Sequence, residues 1–274
     1  MLTASIVVYK TAVKELKTIL DCALNSPIQW IYVVDNSPSN ELQTVVEHYH
    51  SRKLLYIYGQ GNIGYGAAHN IAINKSIVEG AKYHVILNPD IIFNEGVLEV
   101  LTEFMDNHLE AGAVMPNIIY PNGTCQRLCK LLPTPFDIFA RRVLPRSWVE
   151  KRNAKYEMHF MGYDKVWNCP NLSGCFMFLR TSVLKEINGF DDRFFMYFED
   201  TDLIRRIHRV SKTFFNPGVT IIHAHKAEHR TNKLLLKISI KSAIKYFNKY
   251  GWLFDAERHF FNCRAQNQKA QNYS

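Results

Sequence analysis

No uncharged apolar run in this sequence approaches the ~18 residues that a membrane span needs. Residues 1–9 are apolar, but the stretch is too short for a secretory leader and Lys10 ends it. A cytoplasmic protein is therefore expected. No Gly-Lys-Ser/Thr occurs, which excludes a P-loop. Zinc-finger, homeodomain and RNA-recognition signatures are also missing, so nucleic acid is not the expected partner despite a net charge of +8. Cysteine is sparse and scattered, at positions 22, 125, 129, 169, 175 and 263. In an unexported chain these are expected as free thiols, and their spacings suit a structural zinc site poorly. There is no internal repeat, and only residues 264–274, polar and rich in Gln and Asn, read as a loose tail.

What is present is an ordinary globular composition, 47% hydrophobic and 21% charged, over 274 residues. The first half alternates short β-branched runs with helical spacings. Strands are expected at 4–9, 30–34, 53–58 and 83–87, and helices at 13–25, from about 41, at 67–79 and at 95–107. This order predicts an α/β fold, a doubly wound and mostly parallel sheet with helices on both faces. Ligands of such sheets bind beyond the carboxyl ends of the strands, where this chain carries Tyr9, Asp35 and Asn88-Pro89-Asp90. The second half is less regular. Strands are expected within 112–120, at 172–179, 213–215 and 219–223, a short helix at 181–188, and an insertion with its own helix at 128–167. Lysines recur every four residues at 233, 237, 241, 245 and 249, opposite an apolar side, which predicts a basic amphipathic C-terminal helix. The expected organisation is a main domain, 1–232, in two halves, 1–110 and 111–232. A helical extension (233–263) and the tail (264–274) follow.

Three carboxylates, Glu199, Asp200 and Asp202, follow the block Phe194-Phe195-Met196-Tyr197-Phe198 and precede Arg205-Arg206. The apolar block buries the segment, and ionised acids are not buried without partners. They face a cation, a metal or a polar substrate, or they open a helix whose dipole favours them. Gly61-Asn62-Ile63-Gly64-Tyr65-Gly66 is a tight turn or a close approach to a ligand; it follows the third strand, whereas a dinucleotide fingerprint follows the first. Asp35 suits hydrogen bonds to a base or ribose, or an N-cap. Asp90 suits a divalent cation, or an Asn-Pro-Asp turn. His223 heads a run of basic side chains, His225, Lys226, His229 and Arg230, and suits a metal or an anion. Polar groups at successive strand ends of one sheet exceed what turn chemistry alone needs.

Taken in order, these segments resemble the family 2 glycosyltransferases, in particular the rhamnosyltransferase-like branch of bacterial surface-polysaccharide synthesis. The likeness rests on Val33-Val34-Asp35-Asn36-Ser37, Gly61-Asn62-Ile63-Gly64-Tyr65-Gly66-Ala67-Ala68-His69-Asn70 and Leu87-Asn88-Pro89-Asp90. It continues through Leu172-Ser173-Gly174, Gly189-Phe190-Asp191-Asp192, Glu199-Asp200-Thr201-Asp202-Leu203 with Arg206, and His223. The resemblance implies a GT-A fold and a dTDP- or UDP-sugar donor. Tyr9 and Asp35 would meet the base, Asn62 and Gly64 would lie along the nucleotide-sugar, and Asn88 and Asp90 would stand for the family's Asp-x-Asp. Asp90 and His223 would hold Mg2+ or Mn2+. Asp200 would be the catalytic base with Glu199 beside it, and Asp202 and Arg206 would organise the site. Asn88 departs from the motif, giving an amide oxygen where the family has a carboxylate. The implied reaction is an inverting transfer, possible rhamnose included, to a glycan or polyprenyl-linked acceptor, with peripheral contact at the inner face of an anionic membrane. A sugar nucleotidyltransferase would need a Gly-rich loop after the first strand, where the chain reads Tyr9-Lys10-Thr11-Ala12. A non-catalytic glycan-binding or membrane scaffold would have no need of the acids.

Overall fold

The computed structural model describes residues 1–139, 144–224 and 233–268. In chain order the elements are β1 (Leu2–Val8), α1 (Val13–Leu24), β2 (Trp30–Asp35), α2 (Gln43–Glu47), β3 (Leu54–Ile57), α3 (Tyr65–Val78) and β4 (Tyr83–Leu87). Then come β5 (Ile91–Ile92), α4 (Val97–Asn107), β6 (Ala111–Ile119), α5 (Pro135–Phe139), α6 (Arg146–Tyr156), β7 (Trp167–Asn168) and β8 (Phe176–Arg180). The chain continues with α7 (Thr181–Ile187), α8 (Glu199–Val210), β9 (Lys212–His223), α9 (Lys233–Tyr250) and α10 (Ala256–Asn267).

One mixed sheet carries the fold, in the order β3-β2-β1-β4-β8-β6-β9-β5, with β7 also on β9. The first-half strands β3, β2, β1 and β4 are mutually parallel, as right-handed βαβ crossovers require. β8 enters antiparallel between β4 and β6. Apolar spacing explains the helices: α1 buries Leu16, Ile19, Leu20 and Ala23, the residues its period selects. The two strand-like stretches expected at 213–215 and 219–223 are a single strand, β9. Asn216 accepts a hydrogen bond from the Gly218 amide (2.9 Å), and the register against β6 shifts there, so the Asn-Pro-Gly segment is a bulge and not a break. The strand expected from 172 starts at Phe176, because residues 172–175 turn into the site described below.

Every residue of β1 is buried, including Thr3 and Ser5. Their hydroxyls are satisfied by two buried histidines: Ser5 Oγ lies 2.6 Å from His69 Nδ1 and 2.8 Å from His84 Nε2, and Thr3 Oγ1 lies 2.9 Å from His84 Nδ1. Burial holds both imidazoles neutral, His84 down to about 3. His208, buried against Phe261, is lowered to about 4 by burial and then by Arg264.

The C-terminal helices are tied to α8 by Arg205, which is 1% exposed. Its guanidinium makes a bidentate pair with Asp255 (2.7 and 2.8 Å), meets Glu257 (2.6 Å), and lies 3.8 Å from the centre of the Tyr250 ring. The C-terminal basic helix is present as α9, with a difference from simple amphipathicity. Lys249 turns inward to Asp191 (2.7 Å) and Asp202 (2.5 Å), while Leu234, Leu236 and Ile244 are exposed. A buried acid attracts the nearest ammonium more strongly than solvent does, so Lys249 leaves the solvated side. Residues 264–267, expected in the tail, are the last turn of α10. The basic run after Ala224 and residues 269–274 lie outside the described residues.

Two outcomes are expected. Arg205→Met leaves Asp255 and Glu257 without their shared cation and lowers stability by about 3–5 kcal/mol, measurable by urea denaturation. Histidines refused protons by the fold contribute stability that is present above the unfolded value near 6.5 and lost as pH falls below it. Stability therefore drops from pH 7 to pH 5 by up to about 1.4 kcal/mol per pH unit for each such histidine, and His208→Asn flattens that slope.

Candidate active site

The carboxyl ends of β1, β2 and β4 open on one edge of the sheet. At the end of β2, Asp35 is fully buried. Its Oδ1 accepts from the Ser37 amide (2.7 Å) and its Oδ2 from the Tyr56 hydroxyl (2.5 Å). The carboxylate is thus fixed in orientation, and each oxygen keeps acceptor capacity. Tyr9, just past β1, is 49% exposed, and the Lys10 amide donates to Ser37 Oγ (2.8 Å), tying the two strand-end loops together.

The glycine loop closes this end. Gly59, Gly61 and Gly64 do spell the G-x-G-x-x-G spacing, but after β3, and the last of them serves packing. Gly64 sits at φ +94°, and a Cβ there would lie 2.3 Å from the carbonyl oxygen of Phe195. The next amide, Tyr65 N–H, donates to that same oxygen (2.8 Å). Asn62 is exposed and accepts from the Gly64 amide (3.3 Å).

Between these loops runs a continuous polar path. β4–β8 pairing sets Asn88, whose amide donates to Cys175 O (2.9 Å). The Tyr65 hydroxyl lies 2.8 Å from both Asn88 Oδ1 and Gly174 O. The Gly174 amide donates to Asp200 Oδ2 (3.0 Å). Burial, then the charges of Glu199, Asp200 and Asp90, hold the Tyr65 phenol well above its ordinary value, so it stays a donor. Nothing in the sequence distinguished Tyr65 from the glycines around it.

Asp90 meets His223 because β5 pairs antiparallel with the end of β9. His223 Nε2 is 3.3 Å from Asp90 Oδ1, and its Nδ1 is 2.9 Å from Gln126 Oε1. Burial pulls this imidazole down, but hydrogen bonds to Asp90 and Cys175 outweigh it and push it up to about 10. Gln126, from the loop after β6, also donates to the His223 carbonyl (2.6 Å); only the tertiary fold reveals that it belongs here. Among the described residues no three His, Cys, Asp or Glu side chains converge as a metal cluster. Asp90 with His223 is a two-ligand set. That fits a hard cation which takes its other oxygens from phosphates and water.

The acidic segment opens α8, so helix start and site coincide. The chain enters through two left-handed residues, Tyr197 and Phe198, both at φ 67°. Such strain costs about 1–3 kcal/mol per residue. It is held by Phe198 packing on Tyr246 and Phe247 and by Ser242 Oγ donating to Met196 O (2.8 Å). The three acids then diverge. Glu199 is buried, and burial followed by the Asp200 charge keeps it well above the ordinary carboxylate range; its Oε2 is buried without a hydrogen bond. Asp200 is half-buried and accepts from Gly174 and Thr201 amides. It lines a pocket of about 200 Å3 with Lys130, Tyr156, Asn171, Ser173 and Tyr197. Asp202 points the other way, fully buried between Arg206 (2.7 Å), Lys249 (2.5 Å) and Tyr250 (2.7 Å). Arg206 also donates to Ile187 O (2.8 Å).

A sheet of this order, with strand-end acids facing an acid-led helix, defines a GT-A type nucleotide-sugar glycosyltransferase. Residues 4–188 match the family "Glycosyl transferase family 2", and the chain belongs to that family. It is 26% identical over 255 residues to the N-acetylglucosaminyl-diphospho-decaprenol L-rhamnosyltransferase of Mycobacterium tuberculosis, covering 88% of this chain and 78% of the relative. It is also 26% identical over 223 residues to Rhamnosyltransferase WbbL of Escherichia coli K12, covering 79% of this chain and 81% of the relative. The fold is similar to that of GalNAc-T7 with UDP, GalNAc and Mn2+ (TM-score 0.68, 13% identity, all of this chain and 52% of that one). It is similar too to the mannosyltransferase PcManGT of Pyrobaculum calidifontis with GDP-Man and Mn2+ (TM-score 0.57, 14% identity, 90% of this chain and 64% of that one).

Gly64→Ala is expected to weaken both fold and site. The added methyl meets backbone and the φ is unfavourable, so a loss of about 1–3 kcal/mol from conformation alone is expected, together with weaker nucleotide binding. Urea denaturation and nucleotide titration report the two effects separately.

Proposed function

We propose that the protein transfers a sugar, with rhamnose the first candidate, from a dTDP- or UDP-sugar to a glycan or polyprenyl-linked acceptor in cell-surface polysaccharide synthesis, inverting the anomeric centre. The observation that carries this reading is the path Asn88–Tyr65–Gly174–Asp200, which joins the strand-end acids to a carboxylate in a pocket. Tyr9 and Asp35 take the base, and Asn62 and Gly64 flank the nucleotide-sugar. Asp90 and His223 hold Mg2+ or Mn2+. When bound, that cation neutralises the charge developing on the leaving diphosphate. Asn88, bonded to Tyr65, contributes an amide oxygen beside it.

Asp200 removes the proton from the acceptor hydroxyl as its oxygen attacks the anomeric carbon and the nucleoside diphosphate departs. Glu199, buried next to Asp200 and lining the same pocket, stands beside the acceptor. Asp202 and Arg206 anchor α8. The acceptor meets the enzyme at the inner face of the cytoplasmic membrane. No helix among the described residues is long and apolar enough to cross a membrane.

Asp200→Asn is expected to lower transfer by about 10²–10⁴-fold while donor affinity stays close to the parent value; transfer within a few-fold of the parent would overturn the base assignment. Chelation by EDTA, or Asp90→Asn, is expected to reduce the thermal shift that a nucleotide-sugar produces, with Mn2+ or Mg2+ restoring only the chelated parent. An unchanged shift in excess chelator would overturn the cation's role in donor binding.

A further inference from the structure

The turn between α9 and α10 leaves three consecutive apolar side chains in solvent. Trp252, Leu253 and Phe254 are 39%, 80% and 93% exposed. Three consecutive apolar residues at a loop tip are an unfavourable surface unless something covers them. The tip is built rigidly. Gly251, at φ +104°, makes the turn; a Cβ there would lie 2.3 Å from Phe254 O. Trp252 stacks on Phe139 and packs on Phe247, and its indole N–H donates to Asn248 (2.8 Å). The buried Arg258 donates to the carbonyls of Trp252 (3.4 Å) and Leu253 (3.2 Å) from below. Backbone carbonyls carried toward hydrocarbon need such partners in advance.

The C-terminal helices are net basic. Residues 233–267 contain seven Lys or Arg and two acids, Asp255 and Glu257. Both acids are engaged by Arg205, and Glu257 also by Arg209. On α9, which contains no acid, Lys233, Lys237 and Lys241 are exposed beside Leu234 and Leu236. Apolar residues set among uncompensated cations match an anionic lipid surface. Leu253 and Phe254 also form the lip of a groove of about 640 Å3 that includes Arg152, Lys155 and Tyr156. Tyr156 lines the Asp200 pocket as well, so the lip adjoins the proposed acceptor site.

We infer that the Trp252-Leu253-Phe254 tip, with the outward lysines of α9, docks the enzyme on an anionic phospholipid bilayer and presents the groove behind it to a membrane-held acceptor. This deepens, and rests on, the reading of the acceptor as lipid-linked.

The test is co-sedimentation of the full chain with phosphatidylcholine liposomes, with and without phosphatidylglycerol, in the absence of sugar. The parent is expected to bind the anionic liposomes and to leave them at high salt. Leu253→Ser with Phe254→Ser is expected to bind about tenfold more weakly or worse, with an unchanged melting temperature and unchanged donor hydrolysis in solution. Lys233→Gln, Lys237→Gln and Lys241→Gln together are expected to remove the preference for phosphatidylglycerol. Failure of the parent to bind anionic liposomes, or equal binding by the Leu253/Phe254 variant, would overturn the inference. So would a parent dimer in solution that the same variant dissociates. If liposome binding follows the expected pattern while a bilayer-embedded acceptor is not glycosylated, the docking surface stands and the lipid-linked acceptor falls.

Discussion

The hydrogen bond from the Tyr65 amide to the Phe195 carbonyl, with Gly64 pressed beneath it, is the contact on which the site's geometry depends. It joins the start of α3, in the parallel half of the sheet, to the apolar block that precedes α8. Only a residue without a side chain permits that approach. Once it is made, the Tyr65 ring is directed between Asn88 and Gly174, and Gly174 in turn fixes Asp200. Asn70 reinforces the junction from the next turn of α3, accepting from the Phe190 amide (2.8 Å) and donating to the Phe190 carbonyl (2.9 Å). The motif residues of the two halves therefore touch each other before they touch any ligand.

The acids illustrate how environment, more than residue type, sets chemistry. Asp35 is oriented by an amide and a phenol, one on each oxygen, so it is a fixed acceptor with capacity to spare. Asp90 is paired with the imidazole of His223. Burial, then the Asp200 charge, pushes the Glu199 carboxyl well above the ordinary carboxylate range. Asp202 is charged, buried and neutralised by Arg206 and Lys249. Asp200 lines the pocket together with Glu199, and the Gly174 and Thr201 amides fix its carboxylate there.

Much of this was legible in the sequence. The β-branched runs and the apolar period of α1 gave the parallel half of the sheet, because local pattern and burial agree there. The strand-end residues Tyr9, Asp35, Asn88 and Asp90 followed from the topology. The second half was harder to read. Phe176 to Arg180 pairs antiparallel with strands distant in sequence, and a Pro-Gly bulge inside β9 imitates a loop. Tyr65, Gln126 and Arg205 gave no local signal: each matters for partners brought to it by the tertiary fold. Lys249 misled, since its regular spacing indicates a solvated face while the buried Asp202 and the half-buried Asp191 draw it inward.

The position of β8 has a consequence for how the chain is made. β4 is an interior strand only because β8 lies beside it, and all five residues of β4 are buried. During synthesis β1 to β4 emerge long before Phe176–Arg180, and through that interval β4 is an open sheet edge of Tyr, His, Val, Ile and Leu. Unpaired apolar edges of this kind recruit strands from other chains. A chain interrupted between β4 and β8 is thus exposed to edge-to-edge aggregation, and protection arrives with a single antiparallel strand. The candidate site forms later still, because Asp200 and His223 lie on α8 and β9, which follow β8 in the chain.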